Sequence, residues 1–383
     1  MERTLYSSEH KDFGESFRAF LSKNAAPHYE QWESDGIVPR EFFTQAGRGG
    51  FLALEVEEQY EGAGVEDFRF NAMLHEVGFG MDLAGAVGGI TLHNDICLPY
   101  FTTYCNEEQR RRWLPGIANG DYLTSVAMTE PGAGSDLAGI STRAVRSEGG
   151  WVVNGAKTFI TNGINSDLVI AVVRTDPDDR HGGLSLLVIE RGMEGFERGR
   201  NLEKVGLHSA DTAEMFFTDV FVPEENLLGE EGMGFRYLTS NLPQERLSVA
   251  ITGIVMARTA LAHTLEYVKT RNAFGKSIGS FQNSRFVLAE LATELEIATV
   301  YLDQAVLAHN ERKLSAVDAA MAKWWCTDLQ GRVVDQCLQL HGGYGYMLEY
   351  PIARSFIDSR VSRIYAGTNE IMKLIIARRL GLA

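Results

Sequence analysis

Residues 124–139 read TSVAMTEPGAGSDLAG. A run of strand formers, Thr124–Thr129, enters a turn dense in Gly, Pro and small polar residues. Gly132 and Gly134 begin like the dinucleotide loop G-x-G-x-x-G, but the third position is Leu137, so that fingerprint fails. The stretch opens a zone, about 121 to 230, of short β-rich runs separated by Gly, Asp and Pro: Leu168–Val173, Leu184–Ile189 and Met215–Val222. Val152-Val153-Asn154-Gly155 reads as a hairpin, because a type I′ turn wants positive φ at both central residues. Several short strands with close turns predict a small antiparallel barrel or sandwich.

Helical text lies on both sides. Before the zone, Phe13, Phe17, Phe20 and Leu21 recur at helical spacing, and Asn106 with Gln109 reads as a capping box opening a helix that stops at Pro115-Gly116. Gly62–Gly64 and Pro99 punctuate the helices. After it, Leu247, Ile251, Ile254 and Val255 share one face. Phe281–Asn310 and Ser315–Leu340 are long periodic stretches, the second with a Ser315/Asp318 cap and a Gly342-Gly343 end. The order α, β, α is not the alternation of a doubly wound fold. It predicts an α+β chain with an N-terminal all-α domain over 1–120, a middle β-barrel or sandwich domain over 121–230 and a C-terminal helical bundle over 231–383.

Composition narrows the partners. Thirty-six Lys and Arg against 51 Asp and Glu leave a net charge of −15 among 383 residues, which argues against nucleic acid and against an anionic membrane surface. Hydrophobic residues at 45% and charged residues at 23% describe a globular core rather than disorder. No run approaches 18 apolar residues, so no membrane span is expected. Met1–His10 has no apolar leader, and the Gly-Leu-Ala end carries no lipidation or peroxisomal signal. Four scattered Cys, none in a C-x-x-C pair, predict a reducing cytoplasm. Gly275-Lys276-Ser277 resembles the end of a P-loop whose first Gly would be Thr270. His75-Glu76 begins H-E-x-x-H, but Phe79 replaces the second His. No G-x-S-x-G elbow occurs. No metal site is expected.

Three segments remain: 128–139 (MTEPGAGSDLAG), 339–346 (QLHGGYGY) and 364–370 (IYAGTNE). Each alone has a bland reading as a tight connector, a helix C-cap and a turn before the last helix. Together and in this order, with KTFITNG at 157–163, RNAFG at 271–275 and Gln282, they resemble the acyl-CoA dehydrogenase family. Gln244-Glu245-Arg246-Leu247 and Met321-Ala322-Lys323-Trp324-Trp325 are most similar to its long-chain branch.

That resemblance implies a helical domain, a β domain and a four-helix bundle. It implies FAD-dependent α,β-dehydrogenation of acyl-CoA to trans-2-enoyl-CoA in fatty-acid β-oxidation, with a proton leaving Cα and a hydride passing from Cβ to flavin N5. It also implies a homotetramer built as a dimer of dimers and electron transfer flavoprotein as acceptor. Its FAD contacts map onto Val126, Met128, Thr129, Gly134, Ser135, Phe159, Ile160, Thr161, Thr368 and Glu370. Arg271, Phe274, Gln282, Gln339, Gly342 and Gly343 map onto contacts made across a subunit interface. Ser135, Arg246 and Gly367 map onto the substrate. Phe159 stands where many members have Trp and keeps an aromatic plane.

Most members carry their catalytic base as Glu inside Ile-Tyr-x-Gly-Thr, where this chain has Ala366, which accepts no proton. The long-chain and isovaleryl branches place it on another helix, at the position of Glu245 here. The backbone N–H of Ala366 is left as donor to the enolate oxygen, with Gly367 admitting the close approach. From the residues alone, Pro243 suits a first helical position, so Glu245 falls in the first turn as a dipole-favoured carboxylate. Desolvation beneath an acyl chain would oppose that dipole and raise its basicity. The alternatives are an acyl-CoA oxidase, an acyl-carrier-protein dehydrogenase, or a flavin-binding scaffold without activity.

Overall fold

The computed structural model describes residues 3–382; Met1, Glu2 and Ala383, the outermost residues of the terminal readings, lie outside the described residues. Among the described residues, seven helices come first: α1 (Ser8–Asn24), α2 (Tyr29–Asp35), α3 (Arg40–Arg48), α4 (Phe68–Gly78), α5 (Ala84–Thr91), α6 (Leu98–Tyr104) and α7 (Glu107–Asn119). A π-helical turn, Leu92–Cys97, joins α5 to α6 without a break. The sheet comes next, with β1 (Thr124–Ala127), β2 (Arg143–Ser147), β3 (Gly150–Thr161), β4 (Leu168–Arg174), β5 (Leu184–Glu190), β6 (Phe196–Asn201) and β7 (Thr212–Pro223). Then come α8 (Gly234–Thr270), a two-stranded hairpin of β8 (Asn272–Ala273) and β9 (Lys276–Ser277), α9 (Gln282–Asn310), α10 (Ala316–His341), α11 (Pro351–Ser359) and α12 (Asn369–Arg379). The α, β, α order and the α+β class stand.

The seven strands run in the order β1-β4-β2-β3-β7-β6, with β5 on β4. The sheet is mixed rather than purely antiparallel, because β1 pairs β4 in parallel. Residues 168–173 and 184–189 are buried throughout. One set of side chains joins the helical core and the alternate set joins a second core around Trp151, Met215 and Val220. Burial on both faces explains why these strands read as continuous apolar runs.

Three local expectations give way. Asn154-Gly155 is no turn: β3 runs through it, and the pairing with β7 shifts between Val153 and Gly155. Thr142 lies so close that a Cβ on Gly155 would stand 2.5 Å from its hydroxyl, so the glycine serves a bulge. The turn sits earlier, where Ser147 pairs with Gly150. Helix α7 does not stop at Pro115-Gly116 but runs to Asn119, capped by Gly120 at φ 79°. Trp113, Leu114 and Ile117 are buried around Pro115, and packing outweighs the lost N–H. Pro243 does not open a helix either. Helix α8 begins at Gly234, so Glu245 lies about three turns in, away from the helix end.

Helix α8 is also long and apolar enough to cross a membrane by length and composition, yet 78% of its apolar window is buried inside the protein. It is the central rod of the C-terminal bundle and packs along α10 and α9. All four Cys are free and buried.

A buried ion pair ties the glycine turn after β1 to β3. Lys157 Nζ lies 2.9 Å from Glu130 Oε1 and donates to Met128 O at 3.1 Å. Glu130 also accepts from Ser141 N, Ser141 Oγ and Thr142 N, and these donors with Lys157 hold its carboxyl low, at about 2. Replacing Lys157 by Met strands this carboxylate in the interior. A loss of about 3–5 kcal/mol is expected, read as a lowered melting temperature and partly restored by adding Glu130→Gln.

Candidate active site

The first cluster is built on α8, which packs against α6 and along α10. Glu245 projects from α8 and is only 3% exposed. Its Oε1 accepts a hydrogen bond from the Tyr100 hydroxyl of α6 at 3.0 Å. Burial pushes the carboxyl up to about 7, against the opposing pull of the Tyr100 hydrogen bond and the Arg246 charge. The fold itself supplies this burial. Arg246 is also buried, its Nε has no hydrogen-bond partner, and desolvation lowers its pKa.

Lys323 of α10 is wholly buried. Its Nζ donates to Gly367 O at 2.7 Å and to Asn369 Oδ1 at 3.0 Å. Burial, reinforced by the nearby Arg246 charge, lowers it to about 7. Arg246 thus acts electrostatically on Glu245 and on Lys323. The turn that Lys323 grips is strained. Ala366 has φ 51° and Gly367 φ 87°, two left-handed residues in succession. Thr368 caps α12 by accepting from Ile371 N. Glu370 is exposed in the first turn of α12, where backbone and Thr368 hydrogen bonds lower its carboxyl.

A second cluster runs along the sheet edge. Val126, Met128, Thr129 and Thr161 are half-buried, whereas Gly134, Ser135 and Phe159 are exposed. Phe159 has φ 59°, stands at a pairing irregularity of β3 and is 68% exposed, which leaves a large aromatic face open. Ile160 points the other way into the sheet core, so only its backbone is available. A Cβ on Gly132 would meet nothing within 4 Å, so this backbone too is open to a ligand.

The third cluster lies elsewhere. Arg271, Gln339, Gly342 and Gly343 line a cavity of about 450 Å³, with the Arg271 guanidinium 5.3 Å from the Tyr344 ring centroid. Phe274, at the tip of the β8–β9 hairpin, is 95% exposed, and Gln282 is exposed at the start of α9. Among the described residues, no hydrogen bond or ion pair joins this cluster to the sheet-edge cluster. The structure thus groups the expected residues into three sets. It adds Tyr100, Lys323 and Asn369, which sequence reasoning misses as site residues. Lys323 lies within the Met321–Trp325 stretch that carries the family likeness, whereas a tyrosine in an apolar helix carries no signal of its own.

Comparison with known proteins gives one consistent answer. The family models "Acyl-CoA dehydrogenase, N-terminal domain", "middle domain" and "C-terminal domain" match residues 7–121, 125–220 and 232–381. The long-chain specific acyl-CoA dehydrogenase, mitochondrial, of Sus scrofa is 43% identical over 99% of this chain and 88% of its own. A crystal structure of acyl-CoA dehydrogenase from Geobacillus kaustophilus superposes with TM-score 0.96 at 50% identity, covering 98% of each chain. A structure titled for the electron transferring flavoprotein of Acidaminococcus fermentans gives TM-score 0.94 at 33% identity over 99% of each chain. The FAD complex of PigA gives 0.93 at 28% over the full length of both.

The Lys323 grip makes a local forecast. In Lys323→Met, Gly367 O and Asn369 Oδ1 lose their buried donor, so the strained turn should loosen. Hydrogen exchange should accelerate at the amides of residues 366–369, with stability falling by roughly 1–3 kcal/mol.

Proposed function

The chain belongs to the acyl-CoA dehydrogenase family, and from that premise we propose that Glu245 is the base that removes the α-proton of its substrate. The protein is an FAD-dependent oxidoreductase that dehydrogenates acyl-CoA thioesters in fatty-acid oxidation. The observation that carries the assignment is the buried Glu245 carboxyl, raised to about 7 while its place in the bundle is held by Tyr100. General base catalysis is most effective when the group titrates near the working pH.

The residues present fit FAD. The open backbone at Gly132, the exposed ring of Phe159 and the half-buried Thr161 offer one seat, and the cavity beside Arg271, Gln339, Gly342 and Gly343 offers another. When bound, FAD supplies the acceptor for the hydride that leaves Cβ. Val126–Ser135 and Phe159–Thr161 would hold the ring system, with Thr368 and Glu370 beside it. Arg271, with its fixed guanidinium fork, would hold the pyrophosphate of a neighbouring subunit's FAD, with Phe274 and Gln282 alongside. Ala366 N–H would donate to the thioester oxygen as negative charge develops there. Ser135 and the unpartnered Arg246 Nε would face the substrate.

Further parts of the proposal rest on the same premise. The lack, among the described residues, of any hydrogen bond or ion pair between the Arg271 cluster and the sheet-edge cluster, and the exposed Phe274 and Tyr346, support a homotetramer, a dimer of dimers, in which sites are completed between subunits. Likeness to long-chain enzymes supports long acyl chains. Electron transfer flavoprotein as acceptor, a cytoplasmic location and domains at 1–120, 121–230 and 231–383 complete the proposal.

Anaerobic titration with acyl-CoAs from short to long tests it. The yellow of FAD should bleach, most readily with long chains; no bleaching at any length would leave a flavin scaffold. Glu245→Gln should keep its FAD and lose roughly 10²–10⁴ in reduction rate. A pH series gives a second check. Only ionised Glu245 accepts a proton, so the rate should fall as the pH drops below about 7. Stability should move the opposite way. The folded state holds this proton more tightly than the unfolded chain, so Glu245 costs stability as pH rises from about 4.5 to about 7, and the cost persists above. Glu245→Gln should therefore melt higher than the wild type in alkaline buffer, by an amount worth roughly 3 kcal/mol, and the gap should close in acid.

A further inference from the structure

Tyr100 is neither the proposed base nor a proposed cofactor contact, yet its ring is 0% exposed and among the described residues its hydroxyl has one hydrogen-bond partner, Glu245. Burying a phenol rather than a phenyl ring costs stability unless the hydroxyl is used. Here its whole use is the carboxyl of the proposed base. Oε1 of Glu245 takes that bond, and Oε2 has no hydrogen bond among the described residues. One oxygen is tethered and the other is left for a proton.

The route by which Tyr100 reaches this place is built into the helix that carries it. The π-helical turn Leu92–Cys97 holds more residues per turn than an α-helix, and each added residue rotates the later part of the helix by about 100°. With that turn, Asp95 and Tyr100 both face the same stretch of α8. Asp95 O accepts from Gln244 Nε2 at 2.8 Å, Asp95 Oδ2 accepts from Ser248 Oγ at 2.7 Å, and Tyr100 donates to Glu245 between them. Asp95 is itself anchored by His75 Nε2 at 2.6 Å and Asn71 Nδ2 at 2.8 Å. Three bonds therefore lock α8 over residues 244–248, directly after the point where Pro243, lacking an N–H, leaves Thr239 O without its helical donor.

We infer that Tyr100 is the positioning residue of the base: its hydroxyl fixes the Glu245 carboxylate with one oxygen free and stabilises the ionised form against burial. The inference rests on Glu245 being the base. The groups that face this carboxyl are few. From α8 comes the Arg246 guanidinium. From the π-helical turn comes the Cys97 thiol, which burial pushes far above its ordinary range and keeps neutral. Tyr104 flanks Tyr100 on α6. The His75–Asp95 pair lies one turn along and is occupied with Ser248 and Thr252. The Tyr100 phenol is itself pushed well above its usual value by burial and by Glu245, so it stays a donor wherever Glu245 titrates.

The test is Tyr100→Phe in the FAD-loaded enzyme. FAD content should be unchanged. The acid limb of the reduction rate by acyl-CoA should move to higher pH by about one to two units, the worth of a hydrogen bond to a charged group. Well above the limb the rate should stay below wild type, because the ionised carboxylate is no longer held in place. Infrared difference spectra taken from acid to alkaline buffer give a readout apart from turnover. The protonated-carboxyl band that vanishes in Glu245→Gln should persist to higher pH in Tyr100→Phe. Fluorotyrosine at position 100, a stronger donor of nearly the same size, should move both readouts to lower pH, and it decides the matter should the Phe variant misfold. A uniform rate loss at every pH, with limb and band unmoved by either substitution, would overturn the inference while leaving the base in place. Normal reduction by Glu245→Gln would instead remove the base assignment beneath it.

Discussion

The desolvation of one carboxyl group governs the proposed active site. Glu245 sits buried on α8 against Tyr100 of α6, where water cannot stabilise its charge, and its affinity for a proton rises accordingly. The fold answers with a single neutral donor, Tyr100, and a nearby guanidinium, Arg246, rather than with an intimate salt bridge. A close ion pair would hold the carboxyl permanently ionised and weaken it as a base. Glu130 illustrates that other outcome. Its pairing with Lys157 and three further donors holds it at about 2, a structural anion suited to pinning a loop.

The neighbouring turn obeys the same constraint. Ala366 carries no acid side chain, so the turn offers only backbone. Two left-handed residues in succession need outside support, and Lys323 gives it from beneath through Gly367 O. In the proposed reading, a side chain at one place and a main-chain donor at another serve one thioester, which requires that the bundle hold α8, α10 and the turn in fixed relation.

Much of this was legible in local pattern. The Asn106/Gln109 capping box is present with both reciprocal bonds, Ser315 caps α10 through Asp318 N, and the runs at 168–173 and 184–189 are strands. Capping and periodicity involve neighbours a few residues apart, which is the range over which sequence speaks directly. The failures share a cause. Pro243, Pro115 and Asn154-Gly155 each carry a strong local preference for an element boundary, and each sits inside an element because distant packing outweighed that preference. The parallel pairing of β1 with β4 joins segments that no turn connects.

By itself, the sequence determined the order of helical and strand zones, the likeness to one enzyme family, and the two positions on which the proposal turns, Ala366 without an acid side chain and Glu245 with one. These are properties of residue identity and near spacing. Only the tertiary structure decided how Glu245 is tuned. Tyr100 lies 145 residues from it along the chain, and Lys323 lies 44 from Gly367. It placed Glu245 in mid-helix rather than at a helix end, exchanging a dipole that favours the charge for a burial that opposes it. Solvation is a property of everything packed around a group, and no window of sequence contains that information.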